Sequence, residues 1–230
     1  MMLMPDISAW NFQGHQTVAE TMYYSADFSL QKKLNLTLLK EGAIAPDKVF
    51  HDVRLHHYPP SYQLAQKWLN EADYYYKKEE YNNASYAFGV ASHYISDSFV
   101  APHYISKEPA SLHSQFERIK NYNLDVKCYK SEINLNESLY AASKNEKDWS
   151  EWVLTKNESI PKREFEQALN LAFPVFLNTF NSTCNDFKTE VITQNFYINK
   201  NVIIFLIINF VVYLTFIFNR RYKIIKRIKF

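Results

Sequence analysis

The sequence predicts an all-α protein, on three observations. Only three of the 230 residues are glycine, whereas β-sandwiches and barrels need many tight turns and therefore many glycines. A hydrophobic content of 47% is enough for a packed core and excludes a disordered chain. Apolar residues recur at helical spacing in several segments. The sequence also contains no glycine-rich phosphate loop or dinucleotide fingerprint, which excludes the nucleotide-binding folds that depend on them.

The predicted helices follow one another along the chain. Leu30, Leu34 and Leu38 recur close to a 3.6-residue period and predict a helix over residues 28–42. We expect further helices over residues 62–76, 84–101, 111–122 and 164–193. Pro102 closes the second of these, and Pro174 lies within the last. Residues 46–60 are bounded by prolines and predict a loop, and residues 123–160 predict solvated connections with short helices.

The two ends of the chain predict export and membrane attachment. Residues 202–218 are apolar on all sides, and basic residues without any acidic residue follow them. We expect a transmembrane helix over residues 198–219 and a basic cytoplasmic tail over residues 220–230, with the catalytic domain on the other side of the membrane. Residues 1–9 end in small residues, and we expect them to be the remnant of a signal peptide cut before Trp10.

Charge and cysteine content restrict the function further. Six of the 26 basic residues lie in the C-terminal tail, whereas all 24 acidic residues precede it, so the rest of the chain is mildly acidic. Such a surface argues against stable nucleic-acid binding, which normally needs a basic patch. Cys128 and Cys184 are the only cysteines. They could form a disulfide in an exported protein or remain separate thiols, because sequence alone does not show whether they approach each other.

Histidines and carboxylates occur at spacings typical of a metal site. His93 and Asp97 are four residues apart on a predicted helix, so both project from one face, and His113 and Glu117 repeat this arrangement. His103 follows the end of the first of these helices. One such pair is usually a solvated helix pair, but two pairs with further histidines are harder to explain in that way. Histidine nitrogen and carboxylate oxygen are ligands that zinc accepts.

Three strings of the sequence resemble one enzyme superfamily. WNFQGHQTVA, which begins at Trp10, resembles the N-terminal signature of the fungal single-strand nucleases. HYISDSFVAPH, which begins at His93, resembles the H-x3-D-x5-H core of zinc-dependent phospholipases C, and HSQFE, which begins at His113, resembles their H-x3-E motif. The nuclease branch usually ends this last motif in aspartate, so Glu117 favours the phospholipase branch. The resemblance implies a multi-helix catalytic domain of phospholipase C/single-strand nuclease type over residues 10–197.

The resemblance also implies a site for three zinc ions. The implied ligands are Trp10, His15, Asp52, His57, His93, Asp97, His103, His113 and Glu117. Trp10 would bind through its free α-amino nitrogen and its carbonyl oxygen, and Asp97 would bridge two of the ions. Asp52 would also act as an acid/base or water-orienting group, a catalytic role that the family suggests.

The choice of ligands within the proline-bounded loop is open. The family separates its aspartate and histidine in this region by more than ten positions, whereas Asp52 and His57 are five apart. Asp47 and His56 are the alternatives, and His57 is preferred because an aromatic residue follows it. We expect His51 to be structural or exposed.

The sequence therefore predicts a membrane-anchored zinc-dependent phosphoester hydrolase, most similar to phospholipase C, that uses metal ions to activate water. Its expected partners are a phospholipid or other phosphoester and the membrane. Two alternatives stay open. The spacing of Trp10 and His15 suits a single-strand nuclease with 3′-nucleotidase activity, and a non-catalytic surface protein could use the metals for stability alone. Structural zinc sites tend to be closed and rich in cysteine, which favours catalysis here.

Overall fold

The computed structural model describes residues 12–118, 126, 128 and 132–185. Within these residues the named elements are all helical, as the sequence predicts. The α-helices are α1 (Phe12–Ser25), α2 (Phe28–Lys33), α3 (Leu36–Ala43), α4 (Pro60–Lys77), α5 (Tyr81–Asp97), α6 (Ala110–Phe116), α7 (Leu135–Ala142), α8 (Glu146–Thr155) and α9 (Ser159–Thr179). Shorter helical turns cover Pro46–Phe50, Val53–Leu55 and Ala101–Tyr104.

The boundaries of several helices differ from the prediction. The segment over residues 28–42 forms two helices, because Leu34 is extended and the Asn35 side chain caps α3 by accepting a hydrogen bond from the Leu38 amide. The predicted loop over residues 46–60 contains two helical turns and the first residue of α4. Helix α9 continues through Pro174, and the part of its prediction beyond Asn185 lies outside the described residues.

Helix α5 lies at the centre of the fold. It packs against α3 and α4 along much of its length and against α1 and α9 over shorter stretches. From Ala84 to Asp97 nearly every side chain is buried, so the helix has no solvent-facing side there. The buried set includes the polar residues His93, Ser96 and Asp97, and buried polar groups need partners. The helix thereby carries chemically active side chains into the interior.

Two glycines let α3 and α5 approach each other at backbone distance. A Cβ atom added at Gly89 would lie 2.2 Å from the carbonyl oxygen of Leu39, and one added at Gly42 would lie 2.2 Å from the carbonyl oxygen of Tyr86. No real Cβ atom makes such a contact with a rigid backbone. The close crossing fixes the position of α5, and therefore of the polar residues near its C-terminal end, relative to α3.

The disulfide Cys128–Cys184 joins two distant segments, with 6.0 Å between the Cα atoms. The pairing that the sequence left open is thus present. Ala26 forms an isolated bridge with Cys184, and Asp27 both caps α2 and accepts a hydrogen bond from Ser182 at 2.7 Å. These contacts tie the segment after α9 to the turn between α1 and α2.

Several predictions for the two ends of the chain concern residues that the structure does not describe. In the part of the chain that the structure describes, no helix is long and apolar enough to cross a membrane. The predicted signal-peptide remnant over residues 1–9, Trp10, the transmembrane helix over residues 198–219 and the tail over residues 220–230 lie outside the described residues.

Replacing Gly89 with alanine tests the α3–α5 crossing. In an exposed helix, alanine is more stabilising than glycine by about 1 kcal/mol. At position 89 the new Cβ would meet the Leu39 backbone, so we expect the free energy of unfolding to fall by about 1–3 kcal/mol, measured by urea denaturation. Gln63→Ala, on the exposed part of α4, is the control and should change stability by less than about 0.5 kcal/mol. A stabilised Gly89→Ala variant would contradict the proposed close packing.

Candidate metal centre

Asp97 is the centre of the first group of potential ligands. Its carboxylate is fully buried at the end of α5, and three histidines surround it. His93, one turn earlier on α5, places its Nε2 atom 3.1 Å from Oδ2 of Asp97. His56 places its Nδ1 atom 2.8 Å from the same oxygen, and His15 of α1 places its Nε2 atom 3.3 Å from Oδ1. Residues from three separate segments therefore meet on one carboxylate.

Glu117 is the centre of a second group. The Nε2 atoms of His103 and His113 lie 3.3 Å and 2.5 Å from its Oε1 atom. His113 reaches it from one turn earlier along α6, and His103 comes from the helical turn after α5. Glu164 of α9 secures that turn by accepting a hydrogen bond from the Ala101 amide at 3.1 Å. The fold thus brings the second histidine–carboxylate pair of the sequence next to His103.

Asp47 joins the first group from the helical turn Pro46–Phe50. Its Oδ1 atom lies 3.6 Å from Nδ1 of His56 and 3.9 Å from Nε2 of His93. The His56 and His103 rings are 6.1 Å apart between centroids, so the two groups adjoin. Three sets of potential ligand atoms each lie within 4.8 Å of one another. These sets are His15, Asp47 and His93; His56, His93 and Asp97; and His103, His113 and Glu117.

The structure brings together most of the predicted ligands that it describes. They are His15, His93, Asp97, His103, His113 and Glu117. It does not bring Asp52 and His57 into these groups. Both carboxylate oxygens of Asp52 accept hydrogen bonds, from Nε2 of His56 and from the Tyr94 hydroxyl, on the side of the His56 ring away from Asp97. The half-buried His57 ring lies against Tyr104, 6.3 Å away between centroids.

Local geometry explains these differences. The turn Val53–Leu55 ends at His56, whose ring is 1% exposed, while its neighbour His57 is only half-buried. Consecutive residues in a tight turn point in different directions, so only one of the two histidines reaches Asp97. The spacing of these residues could have indicated the correct pair. Asp47 and His56 are nine positions apart, which is closer to the family's separation of more than ten than the five positions between Asp52 and His57. His51 is exposed.

Unpaired buried atoms show that the centre fits a metal ion. Nε2 of His15, both carboxylate oxygens of Asp47 and of Asp97, and Oε2 of Glu117 are buried without a hydrogen-bond partner among the described residues. Each buried polar atom without a partner costs about 1–3 kcal/mol, and more when the group is charged. Imidazole nitrogens and carboxylate oxygens without any thiolate form a donor set that suits zinc. Cations between these atoms would provide the partners that the protein does not.

The protonation behaviour of the centre follows from burial and charge together. Burial raises the pKa of Asp47 to about 6. Burial also raises the pKa of Asp97, but the charges of His93 and His15 outweigh it and hold the pKa well below its ordinary value. Burial lowers the pKa of His56, but the neighbouring carboxylates of Asp52 and Asp97 raise it to about 10. The raised pKa of His56 favours a proton between it and Asp97, at a position where a cation would replace that proton.

Three of the histidines contact a neutral group through Nδ1, the ring nitrogen that points away from the metal centre. Nδ1 of His93 donates to the carbonyl oxygen of Ala43 at 2.8 Å, and Nδ1 of His103 donates to the carbonyl oxygen of Asp97 at 3.0 Å. Nδ1 of His15 lies 3.1 Å from the hydroxyl oxygen of Ser96, which itself donates to the His93 carbonyl. A carbonyl oxygen can only accept, so the proton sits on Nδ1 and the Nε2 lone pair faces the centre.

One comparison with known proteins identifies a family. The family model described as zinc dependent phospholipase C matches residues 14–182, which is more than half of the chain. This range includes every described residue that contributes to the metal centre. The chain has no match among curated proteins or among solved structures.

Removing divalent metal should destabilise the protein. A ligand that binds only the folded state adds about 4 kcal/mol of stability at a concentration of 1,000 times its dissociation constant. We therefore expect dialysis against a chelator to lower the midpoint of thermal unfolding by several degrees, as measured by calorimetry, and zinc to restore it.

The exposed histidine provides the control for this measurement. His51→Asn should keep the full response to zinc, because His51 is exposed. His113→Asn should lose part of the response, because His113 faces Glu117 inside the centre. Identical unfolding midpoints for the metal-free and zinc-loaded proteins would show that the centre binds no zinc.

Proposed function

The chain belongs to the zinc-dependent phospholipase C family, and we propose that it is a membrane-anchored phosphoester hydrolase whose substrate is a phospholipid. One observation carries this proposal: histidines and carboxylates from distant segments converge on Asp97 and Glu117, and buried oxygens there have no hydrogen-bond partner within the residues that the structure describes. A chain does not bury such atoms without compensation. The family match and this donor set support zinc as the compensating ion.

We assign the proposed ligands from these contacts. Asp47 replaces the predicted ligand Asp52, and His56 replaces the predicted ligand His57, because their atoms face His93 and Asp97. The proposed site would hold three ions. His15 and Asp97 would hold the first, with Trp10 as a further predicted ligand; Asp47, His56, His93 and Asp97 would hold the second; and His103, His113 and Glu117 would hold the third.

Zinc bound at such a site lowers the pKa of water to near neutrality and offsets negative charge on a phosphoryl group. The chain's own residues hold and orient the reactants. Asp52 is poorly suited to an acid/base role, because both of its oxygens already accept hydrogen bonds. Neither Asp47 oxygen has a hydrogen-bond partner among the described residues, so we propose that one oxygen would hold the second ion and the other would orient the attacking water. Serine and cysteine nucleophiles are not needed.

Membrane attachment and export are part of the proposal. The apolar stretch over residues 202–218 with its basic flank supports a single membrane-spanning helix that leaves the catalytic domain outside the cytoplasm. The disulfide Cys128–Cys184 supports the same location, because disulfides persist in oxidising compartments. An anchored domain would meet phospholipid headgroups directly, which fits the family.

Substrate class is tested by parallel assays of the full chain, loaded with zinc in mixed micelles. We expect hydrolysis of phosphatidylcholine, with little activity on single-stranded DNA or a 3′-nucleotide. Glu117→Gln should reduce the hydrolysis rate by at least about 100-fold, because it weakens the third ion and leaves buried groups unpaired. Glu71→Gln, on α4, is the matched control. Hydrolysis of nucleic acid alone would indicate a nuclease, and a zinc-loaded protein without any hydrolysis would indicate a non-catalytic role.

The choice between adjacent histidines has its own test. His56→Asn should lower the number of tightly bound zinc ions, measured by elemental analysis, because the His56 ring faces Asp97. His57→Asn should leave that number unchanged, because the His57 ring lies against Tyr104. The reverse result would return His57 to the ligand set.

A further inference from the structure

We infer that two carboxylates outside the metal centre, Asp52 and Glu108, are positioning residues that hold the ligand imidazoles of His56 and His113. Tyr94 secures the first of them. This inference rests on the metal binding proposed above and adds an outer layer to it. The other three histidines of the centre have the neutral partners already described, so the anionic partners are distributed one to each group of ligands.

The contacts of His56 define its orientation. Its Nδ1 atom lies 2.8 Å from Oδ2 of Asp97, inside the centre, and its Nε2 atom lies 3.0 Å from Oδ1 of Asp52, outside it. Both carboxylates can only accept when ionised; once an ion replaces the proton between His56 and Asp97, the remaining proton of the neutral ring would sit on Nε2, facing Asp52. The lone pair on Nδ1 would then be available to the proposed ion beside Asp97. His56 is unusual in this respect, because His93, His103 and His15 present Nε2 to the centre.

Tyr94 makes the Asp52 contact rigid. Its hydroxyl donates to Oδ2 of Asp52 at 2.6 Å, and its side chain is 1% exposed. Tyr94 follows His93 on α5, so the same helix supplies ligands to the centre and the anchor for an outer carboxylate. Both oxygens of Asp52 are therefore committed, one to the ring and one to the hydroxyl. These two hydrogen bonds explain why Asp52, which the sequence predicted as a metal ligand, is not among the proposed ligands.

Glu108 has the corresponding contact in the second group. It precedes α6, and its Oε1 atom lies 2.9 Å from Nδ1 of His113, whose Nε2 atom faces Glu117. The sequence motif includes His113 and Glu117 but not Glu108, which lies five positions before the histidine. Carboxylate partners fix the tautomer of a ligand histidine and increase its basicity, and their loss typically weakens metal binding by about 10–100-fold.

The proposed test uses variants that remove charge while preserving size. Asp52→Asn and Glu108→Gln should each weaken the binding of one zinc ion by about 10–100-fold, measured on the full chain by competition with a coloured chelator. Tyr94→Phe should have a smaller effect in the same direction, because it leaves the Asp52–His56 contact in place. Asp73→Asn removes a surface carboxylate that pairs with Lys77 and is the matched control, for which we expect wild-type affinity.

Cobalt provides a second measurement that does not depend on activity. In the cobalt-substituted protein, Asp52→Asn should shift the visible absorption of one bound ion, because the His56 ring is no longer held by a charged acceptor. Circular dichroism identifies any variant that fails to fold, and in that case Tyr94→Phe, the mildest change, decides the question.

The outcomes separate the inference from the function on which it rests. A wild-type chain that binds no zinc overturns both. A wild-type chain that binds zinc, with Asp52→Asn and Glu108→Gln variants of unchanged affinity and unchanged cobalt spectrum, overturns the outer-layer inference alone. Weaker binding in these two variants, with wild-type behaviour for Asp73→Asn, supports it.

Discussion

The buried carboxylate of Asp97 is the constraint on which the rest of the site depends. It is fully buried, it lies at the end of the central helix, and neither of its oxygens has a hydrogen-bond partner in the described part of the chain. Three histidines from different segments approach these oxygens within 3.3 Å. Burying a carboxylate in this way is costly unless a positive charge lies beside it. Imidazoles supply a positive charge only when they are protonated. A divalent cation resolves the conflict, which is why we interpret the arrangement as a metal centre.

The helical framework has to place this carboxylate to within a fraction of an ångström. The α3–α5 crossing fixes α5 through backbone contacts at Gly42 and Gly89, where side chains of any size would keep the helices apart. The carbonyl of Ala43, at the end of α3, then holds the ring of His93. The same crossing therefore provides both the position of the ligand helix and part of the outer support of a ligand, so packing and chemistry depend on one contact.

Sequence patterns predicted the helical parts of the site better than the loop parts. His93 with Asp97 and His113 with Glu117 could be paired from their spacing, because helical geometry determines which residues share a face. Asp47 and His56 lie in irregular turns, where the direction of a side chain depends on tertiary contacts. Asp52 illustrates the difficulty: it has the residue type and the neighbours of a ligand, yet Tyr94 and His56 hold it outside the centre. The division of residues 28–42 into two helices likewise depends on a cap that periodicity does not show.

Anomalous diffraction from crystals of the full chain grown with zinc would locate the metal ions directly. We expect one peak among His56 Nδ1, His93 Nε2 and Asp97, and a second among His103 Nε2, His113 Nε2 and Glu117, with a third beside His15. In each case the ring nitrogen named here should face the peak. An absence of zinc from these positions, or zinc bound by His57 and Asp52 instead, would contradict this expectation.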